Sequence, residues 1–596
     1  MPRTKITLLL LLLALAPFAR AQELPPIRDT FADTWVATDG LGRALPTGPD
    51  VRAARADRFV GLFYFLWLGR HGEAGPFDIS KILARNPKAS DDPLDPQWGP
   101  LRAPHHWGES IFGYYVSDDE GVLRKHAQML GDAGVDVIIF DVTNQLSYPQ
   151  SWKALLKVFD AARRDGTRVP QVAFLCPFGE PRKVVRELYD QLYSKNLYRH
   201  LWFRWKGKPL ILADPALIGD DETAKNIRAF FTFRAPQPSY FSGPAKPGQW
   251  GWLEVHPQHV FTDPTGKPEE MTVGVAQNAV DGKLSVLSNP RSAGRSYHDG
   301  KEPPAADCDF TGRNFAEQWN RALEKDPPFI FVTGWNEWIA GRFQHPTPFY
   351  ADGPVSFVDE FDEEFSRDIE PMKDGHGDAY YYQLVANVRR YKGARTIPPV
   401  VPRPITVDGR FDDWRGVAPE FRDEIGDPVR RYHRGWAKES HYINRTGRND
   451  LATAKVNFDD TNVYFYVETR GPISPSTDRN WMLLFIDTDH NPKTGWLGYD
   501  VVVNRSNVRP QTTTLEHSVP GKYEWKQPLD VTYRMSGNQL ELAIPRAALG
   551  LTTLPATLDF KWADNIQQTG KASDFTLNGD AAPNDRFNYR ARIGDR

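Results

Sequence analysis

Phe329-Ile330-Phe331-Val332-Thr333-Gly334-Trp335-Asn336-Glu337-Trp338 is the stretch on which the reading of this chain turns. It begins after Pro327-Pro328 as a short run of β-branched and aromatic residues and ends abruptly in polar and indole groups. Such a run reads as a strand buried on both faces, as in a parallel sheet covered by helices. A carboxylate just beyond it sits at the C-terminal end of the strand, where barrel enzymes carry their chemistry. Trp335 and Trp338 offer flat apolar faces, Asn336 a donor and an acceptor, and Glu337 a group able to act as acid, base or nucleophile. The alternative is structural, with both tryptophans in the core and Glu337 a paired carboxylate.

Seven more apolar runs lie upstream, at residues 60–67, 135–141, 172–176, 209–213, 229–233, 252–255 and 272–276. Eight runs, several separated by helix-like segments, predict an α/β fold with a (β/α)8 barrel of the TIM type. In residues 119–133, Val122, Leu123, His126, Met129 and Leu130 recur at helical spacing, from an acidic start to a stop near Gly134. Residues 151–164, 181–193 and 314–324 show similar faces, and 379–391 can form a closing helix. Residues 236–251 and 278–309 read instead as long loops. Loops beyond about 15 residues are usually functional or disordered, so part of the barrel is expected to be irregular.

Several strand ends carry polar groups: Tyr64, Trp67 and Arg70 on the first, Asp141 and Asn144 on the second, Glu180 and Asp214 on the next two, Glu254 and His256 on the sixth, Gln277 and Asn278 on the seventh. If the strands close into a barrel, these groups converge on one mouth. Between the first two runs lies His105-His106-Trp107-Gly108-Glu109. Adjacent residues of an extended segment point opposite ways and make a poor metal clamp, so this reads as a loop offering Trp107 for stacking and His106 or Glu109 for hydroxyl groups. Glu360 to Glu370 is strongly acidic and reads as a solvated loop or a barrel edge.

The 596 residues suffice for two or three domains, and acidic and basic residues interleave to a net charge of -3, so no face for nucleic acid stands out. Aromatic residues make up 12% of the chain, with 18 tryptophans. Flat rings stack on the C–H faces of sugars, although large cores also absorb them. Arg3 and Lys5, the apolar run 6–15 and Ala19-Arg20-Ala21 make a signal peptide over residues 1–21, and so predict a secreted or periplasmic protein. No run reaches membrane-spanning length. Cys176 and Cys308 are the two cysteines, too few for a disulfide framework, and Cys176 reads as a buried strand residue.

The combination of Val60-Gly61-Leu62-Phe63-Tyr64, His106-Trp107-Gly108-Glu109, Ala133-Gly134-Val135-Asp136 with Phe140-Asp141, and Gly334-Trp335-Asn336-Glu337-Trp338 resembles bacterial proteins related to glycoside hydrolase families 71 and 99, over roughly residues 55–395. The resemblance implies a (β/α)8 barrel acting on α-linked polysaccharides, without an organic cofactor. The candidate substrate contacts are Tyr64, Trp67, His106, Trp107, Glu109, Asn144, Gln277, Trp335, Asn336, Trp338 and Arg342. Family 99 carries two glutamates three residues apart on this strand, the first acting as base on the sugar's own 2-hydroxyl and the second as acid. Glu337 matches the first, and Ala340 stands at the second. Glycoside hydrolysis generally needs two carboxyl groups, so the acid must come from elsewhere, with Asp141, Glu254 and His256 the candidates, or the substrate carries an activated leaving group, or the activity has been lost.

Residues 22–395 thus form the barrel domain, and the proline-rich 396–404 reads as a semi-rigid linker. From 405 to 596 the pattern changes to short alternating strands with turn signals, an all-β sandwich. Ile405-Thr406-Val407-Asp408-Gly409, Phe411-Asp412-Asp413-Trp414 and Phe485-Ile486-Asp487-Thr488-Asp489 resemble carbohydrate-binding module family 9 and its relatives. Asp487, Asp489 and Asn491 space three oxygen ligands as a structural calcium site does, and a turn held by its own side chains has the same composition. Trp436, Trp481 and Trp496 are sugar platforms or core. The leading expectation is a monomeric glycoside hydrolase acting on a polysaccharide or oligosaccharide. The alternative is a non-catalytic glycan-binding protein on a degenerate barrel.

Overall fold

The structure, a computed structural model, describes residues 24–72, 74–344, 354–437, 441–506 and 508–594, so the expected signal peptide lies outside the described residues. Seven of the eight apolar runs contribute to a parallel strand, and the sixth, 252–255, falls just beyond one: the strands are β1 Phe59–Tyr64, β2 Val137–Asp141, β3 Gln171–Leu175, β4 Lys208–Leu212, β5 Thr232–Pro236, β6 Gln249–Trp250, β7 Pro268–Gly274 and β8 Phe329–Thr333. Their spatial order is β7-β8-β1-β2-β3-β4-β5-β6, which is the circular order of a barrel. On one side of β1 the register runs from Phe59↔Phe329 to Leu62↔Val332, and on the other from Gly61↔Val137 to Tyr64↔Phe140. Between β6 and β7 the short strand Phe261–Thr262 runs antiparallel to β7, and Gly248 N donates to Thr262 O at 2.9 Å, leaving the barrel nearly closed.

The barrel helices are α1 Glu120–Asp132, α2 Pro149–Arg164, α3 Arg182–Leu188, α4 Glu222–Phe230, α5 Arg313–Lys325 and α6 Ala379–Lys392. The Asp119 carboxylate caps α1 by accepting from Gly121 N and Val122 N at 3.1 and 3.3 Å, satisfying donors that a helix start leaves open. Val122, Leu123, Met129 and Leu130 face the core at helical spacing. No helix joins β5 to β6 or β6 to β7, so the eightfold alternation expected of a TIM-type barrel is incomplete. The reason is visible in residues 236–251, whose prolines, glycines and serines offer no apolar stripe. Beyond β8 the chain forms strand Ile339–Gln344, paired with Pro104–His106 and Val355–Phe357 beside the barrel end. Among the described residues no helix is long and apolar enough to cross a membrane.

The C-terminal half is one antiparallel sheet in the order Phe421–Arg422, Leu451–Phe458, Asn462–Thr469, Gln539–Pro545, Trp525–Ser536, Thr512–Ser518, Val501–Val503, Leu483–Asp487, Ala556–Asp564 and Asp580–Ala582, with Tyr589–Ile593 also on Ala556–Asp564. It curls until Leu451–Phe458 lies against Asp580–Ala582 and Tyr589–Ile593. The expected two-layer sandwich is therefore a single barrel-like sheet closed round its own core. The linker is docked, with Val400 buried and its N–H on Arg592 O at 2.8 Å. Strands Arg431–Arg434 and His441–Asn444 pair antiparallel, and this segment reaches back to the barrel. Trp436 N donates to Tyr114 O at 2.6 Å, and Arg431 Nε to Asp119 Oδ2 at 2.8 Å.

Candidate active site

At the end of β8 three main-chain groups are claimed by neighbours. Gly334 N donates to Arg367 O at 2.9 Å, Trp335 N to Phe63 O at 3.0 Å, and Glu337 N to Asp368 Oδ1 at 2.7 Å. A Cβ on Gly334 would lie 3.0 Å from Asp368 Oδ1 and 3.3 Å from Phe63, so the close approach of these segments needs glycine. The turn delivers the Glu337 side chain to the barrel mouth, 10% exposed, with Oε2 3.7 Å from Arg367 Nη2.

The segment that holds this turn is the one expected to be a solvated loop. Instead Glu360, Ser366, Arg367, Asp368 and Glu370 are all buried. Acidic composition reads as hydration only when partners are lacking, and here they are present. Arg367 Nη2 also meets Asp359 Oδ1 at 3.0 Å, and Arg367 N donates to Glu360 Oε2 at 3.2 Å. Glu370 accepts from Ser110 Oγ at 2.8 Å, Tyr115 OH at 2.8 Å, His126 Nε2 at 3.1 Å and Trp338 Nε1 at 2.5 Å. Burial and the Asp368 charge push the Glu360 carboxyl well above its usual range. Asp359, Arg367 and Asp368 are thus site residues that sequence reading missed. The one available signal was Arg367 itself, an isolated cation among acids.

Burial, then the Asp359 charge, push Glu337 well above the usual carboxylate range, while Arg367 pulls it down. The neutral, proton-donating form is therefore favoured. Asp141, at the end of β2, is raised by burial, although Thr143 N and Oγ1 donate to it at 3.0 and 2.7 Å, and its charge is felt at Glu337. Two half-buried indoles flank these groups. The Arg367 guanidinium lies 5.9 Å from the Trp252 ring, and Trp67 stacks with Tyr148 at 6.4 Å. Trp252 belonged to the sixth run but was not singled out, because a strand tryptophan looks the same whether it faces the core or the mouth.

Several expected substrate contacts lie beneath the site. Tyr64 OH bonds His126 Nδ1 at 2.8 Å. Trp335 is buried against His126 and Tyr381, and Trp338 stacks on Trp107 at 4.5 Å. Trp107 Nε1 donates to Glu337 O at 3.1 Å, while Asn336 accepts from Phe65 N at 2.9 Å. Their polar groups orient the Glu337 turn. His106 is enclosed between Tyr114 and Trp436, and burial lowers it to about 3, which keeps it neutral. Glu109 is paired with Lys81 at 2.7 Å and with Lys373. Gln277 Nε2 donates to Asn314 Oδ1 at 2.8 Å, and Arg342 donates to Pro93 O and Gly99 O at 3.1 and 2.9 Å. Asn144 donates to Tyr148 OH near the mouth. Of the three proposed acids, Asp141 acts electrostatically on Glu337. Glu254 accepts from His259 N and is paired with its Nδ1, each at 2.9 Å, and burial raises it to about 7. His256 lies 3.7 Å from Glu317.

In the C-terminal domain Trp436, Trp481 and Trp496 are all buried. Asp487 Oδ1 accepts from Asp489 N and His490 N at 3.1 and 2.7 Å, Asp489 Oδ1 from Asn491 N at 2.9 Å, and Asn491 Oδ1 from Lys493 N at 3.1 Å. These bonds are those of a self-capped turn. Carboxylate oxygens of Asp487 and Asp489 gather with that of Asp500, whereas Asn491 is turned to Lys493.

No protein-family model matches the chain, and no curated protein matches it. Solved structures do resemble it, two of them from one bacterium. One is the GH99 endo-alpha-mannosidase from Bacteroides thetaiotaomicron in complex with BIS-TRIS-Propane, 15% identical over 56% of this chain and 98% of that one, with a TM-score of 0.33. The other is a GH99 endo-alpha-mannosidase of the same organism, 17% identical over 57% and 99%, with a TM-score of 0.32. Similarity at this level fixes neither activity nor substrate.

Proposed function

We propose that the protein is an exported glycoside hydrolase acting on an α-linked glycan at the barrel mouth, with Glu337 as general acid and Asp359 as its partner carboxylate. The observation that carries this reading is that both carboxyl groups lie on one nitrogen, Arg367 Nη2, at 3.7 and 3.0 Å. Their environments differ: the Glu337 side chain is 10% exposed and that of Asp359 40%. A pair split in this way assigns the roles. Glu337, held towards its neutral form, protonates the departing glycosidic oxygen. Asp359, charge-balanced by Arg367 and open to water, activates a water molecule or attacks the anomeric carbon. Asp141 adds negative charge beside the oxocarbenium-like centre that develops, and the rings of Trp252 and Trp67 supply faces for sugar C–H groups. This assignment gives Glu337 the acid role, where the family likeness implies a base.

The test is release of reducing ends from a panel of α-linked glycans by wild type, Glu337→Gln and Asp359→Asn. An acid at Glu337 predicts that Glu337→Gln fails on natural linkages yet keeps much of its rate on substrates with an activated leaving group, which needs no proton. Equal losses on both substrate types would remove Glu337 from that role.

One observation favours a second reading, a non-catalytic glycan-binding protein. Ala340 is buried in an apolar cluster with Trp98, Val355 and Phe357, so the second family carboxylate is replaced by packing. Tight binding of a glycan with no turnover by wild type over long incubation would select that reading.

A further inference from the structure

We propose that Asp423, Asp427 and Asp580 form a binding site for one hard divalent cation of the calcium class, set at the seam between the barrel and the C-terminal domain. Each offers a carboxylate oxygen, and the three oxygens lie within 4.8 Å of one another. Oxygens that each sit about 2.3–2.6 Å from a common calcium ion have separations in this range. The donor set is all oxygen, which suits calcium or magnesium better than a softer metal.

The carboxylates alone would not make a site; the unanswered bonding around them does. Asp427 is 2% exposed, yet neither of its carboxylate oxygens has a hydrogen-bond partner among the described residues. Asp423 Oδ2 is unpartnered as well. Asn584, a neutral residue 1% exposed, donates from Nδ2 to Asp423 Oδ1 at 3.4 Å and to Glu424 Oε2 at 3.0 Å, while its own Oδ1 has no partner. Buried polar atoms are nearly always paired, and a single cation answers several such oxygens at once. The charges of Lys125 and Arg124 reach Asp427 across space, but the hydrogen bonds that the nearby basic groups make go to neutral oxygens. Lys125 Nζ donates to Gln128 Oε1 at 3.1 Å, Arg124 Nη2 to Ile425 O at 2.9 Å, and Lys561 Nζ to Pro583 O. None of them forms an ion pair with the three aspartates among the described residues.

The location suggests what the ion does. Asp427 also lines a groove between the two domains, together with Lys125, Asn444 and Thr576, so an ion has a route from solvent. Asp132, at the end of α1, is buried against Glu424 and feels its charge. A cation here would neutralise acids contributed from both sides of the seam and tie the curled sheet to the barrel. The Asp487 turn differs, because its side chains already accept main-chain N–H groups.

The experiment uses the full chain, stripped with chelator, then titrated with calcium chloride by calorimetry and followed by thermal unfolding. Wild type is expected to bind calcium and unfold several degrees higher with it. Asp427→Asn should lose one bound calcium per chain and most of that shift, and Asp489→Asn, in the turn, should keep both. Failure of stripped wild type to bind calcium or to gain thermal stability from it overturns the proposal. So does an Asp427→Asn protein whose stoichiometry and shift equal those of wild type. If Asp427→Asn does not fold, Asp423→Asn is read by the same criteria.

Discussion

Two buried acidic clusters, one at the barrel mouth and one at the domain seam, use the same residue types and differ in whether a cation of the chain touches the acids. At the mouth, Glu337, Asp359 and Glu360 gather round the Arg367 guanidinium and main chain, although Glu360 Oε1 and Asp368 Oδ2 stay unpartnered. At the seam, Asp423 and Asp427 keep unpartnered oxygens while the nearby Lys125, Arg124 and Lys561 bond elsewhere. A carboxylate cluster with an internal guanidinium is poised for proton chemistry. One that no cation of the chain touches is poised for an ion from solvent. The counter-charge, more than the acids, decides what such a cluster can do.

The sharpest way to break this contrast is at Glu337. On an unactivated α-linked glycan, Glu337→Gln is expected to lower kcat by about 10³-fold, within the range of general acid catalysis, measured by reducing-end release. Full activity would place the chemistry outside the mouth cluster. Arg367→Met should come next in size. It leaves buried acids without their cation and should cost about 3–5 kcal/mol in denaturant unfolding. An unchanged midpoint would mean that Arg367 does not hold the cluster together.

Glu254 offers an intermediate case, a buried acid with one imidazole partner. Burial raises it to about 7 in the folded protein, whereas an unfolded glutamate titrates near about 4.3. The folded state therefore binds the extra proton. Its stabilising contribution is complete below about pH 4.3 and is lost as the pH rises through about 7, amounting to about 4 kcal/mol. Urea midpoints across that window should fall less steeply for Glu254→Gln than for wild type. The smallest effect is expected at the seam. In chelator, Asp427→Asn removes repulsion without breaking an ion pair, so its unfolding free energy should stay within about 1 kcal/mol of wild type or exceed it. A loss as large as that of Arg367→Met would make the two clusters alike.

Much of the fold was legible because it rests on local pattern. The run at residues 137–141 is apolar on every residue but the last, and such a segment has few stable fates except a strand buried on both faces. Asp119 and the apolar positions after it specify α1 in the same way. The site was legible only in part. Trp335, Trp338 and Asn336 stood in the right place, yet their side chains support the floor, since a short turn packed against α1 and α6 leaves room for one side chain, that of Glu337, to face the mouth. The acidic segment 359–370 was misread because burial of a charge depends on partners distant in the chain, such as Ser110, Tyr115 and His126 for Glu370.

The sequence by itself determined where seven of the eight parallel strands run and that a carboxylate ends the eighth, because each of these follows from residues within one hydrophobic period. Only the tertiary structure decided which carboxylate faces Glu337, which tryptophans reach the mouth and which acids remain unpartnered at the seam. Those outcomes depend on distance and desolvation between segments far apart in the chain, and no local pattern encodes either.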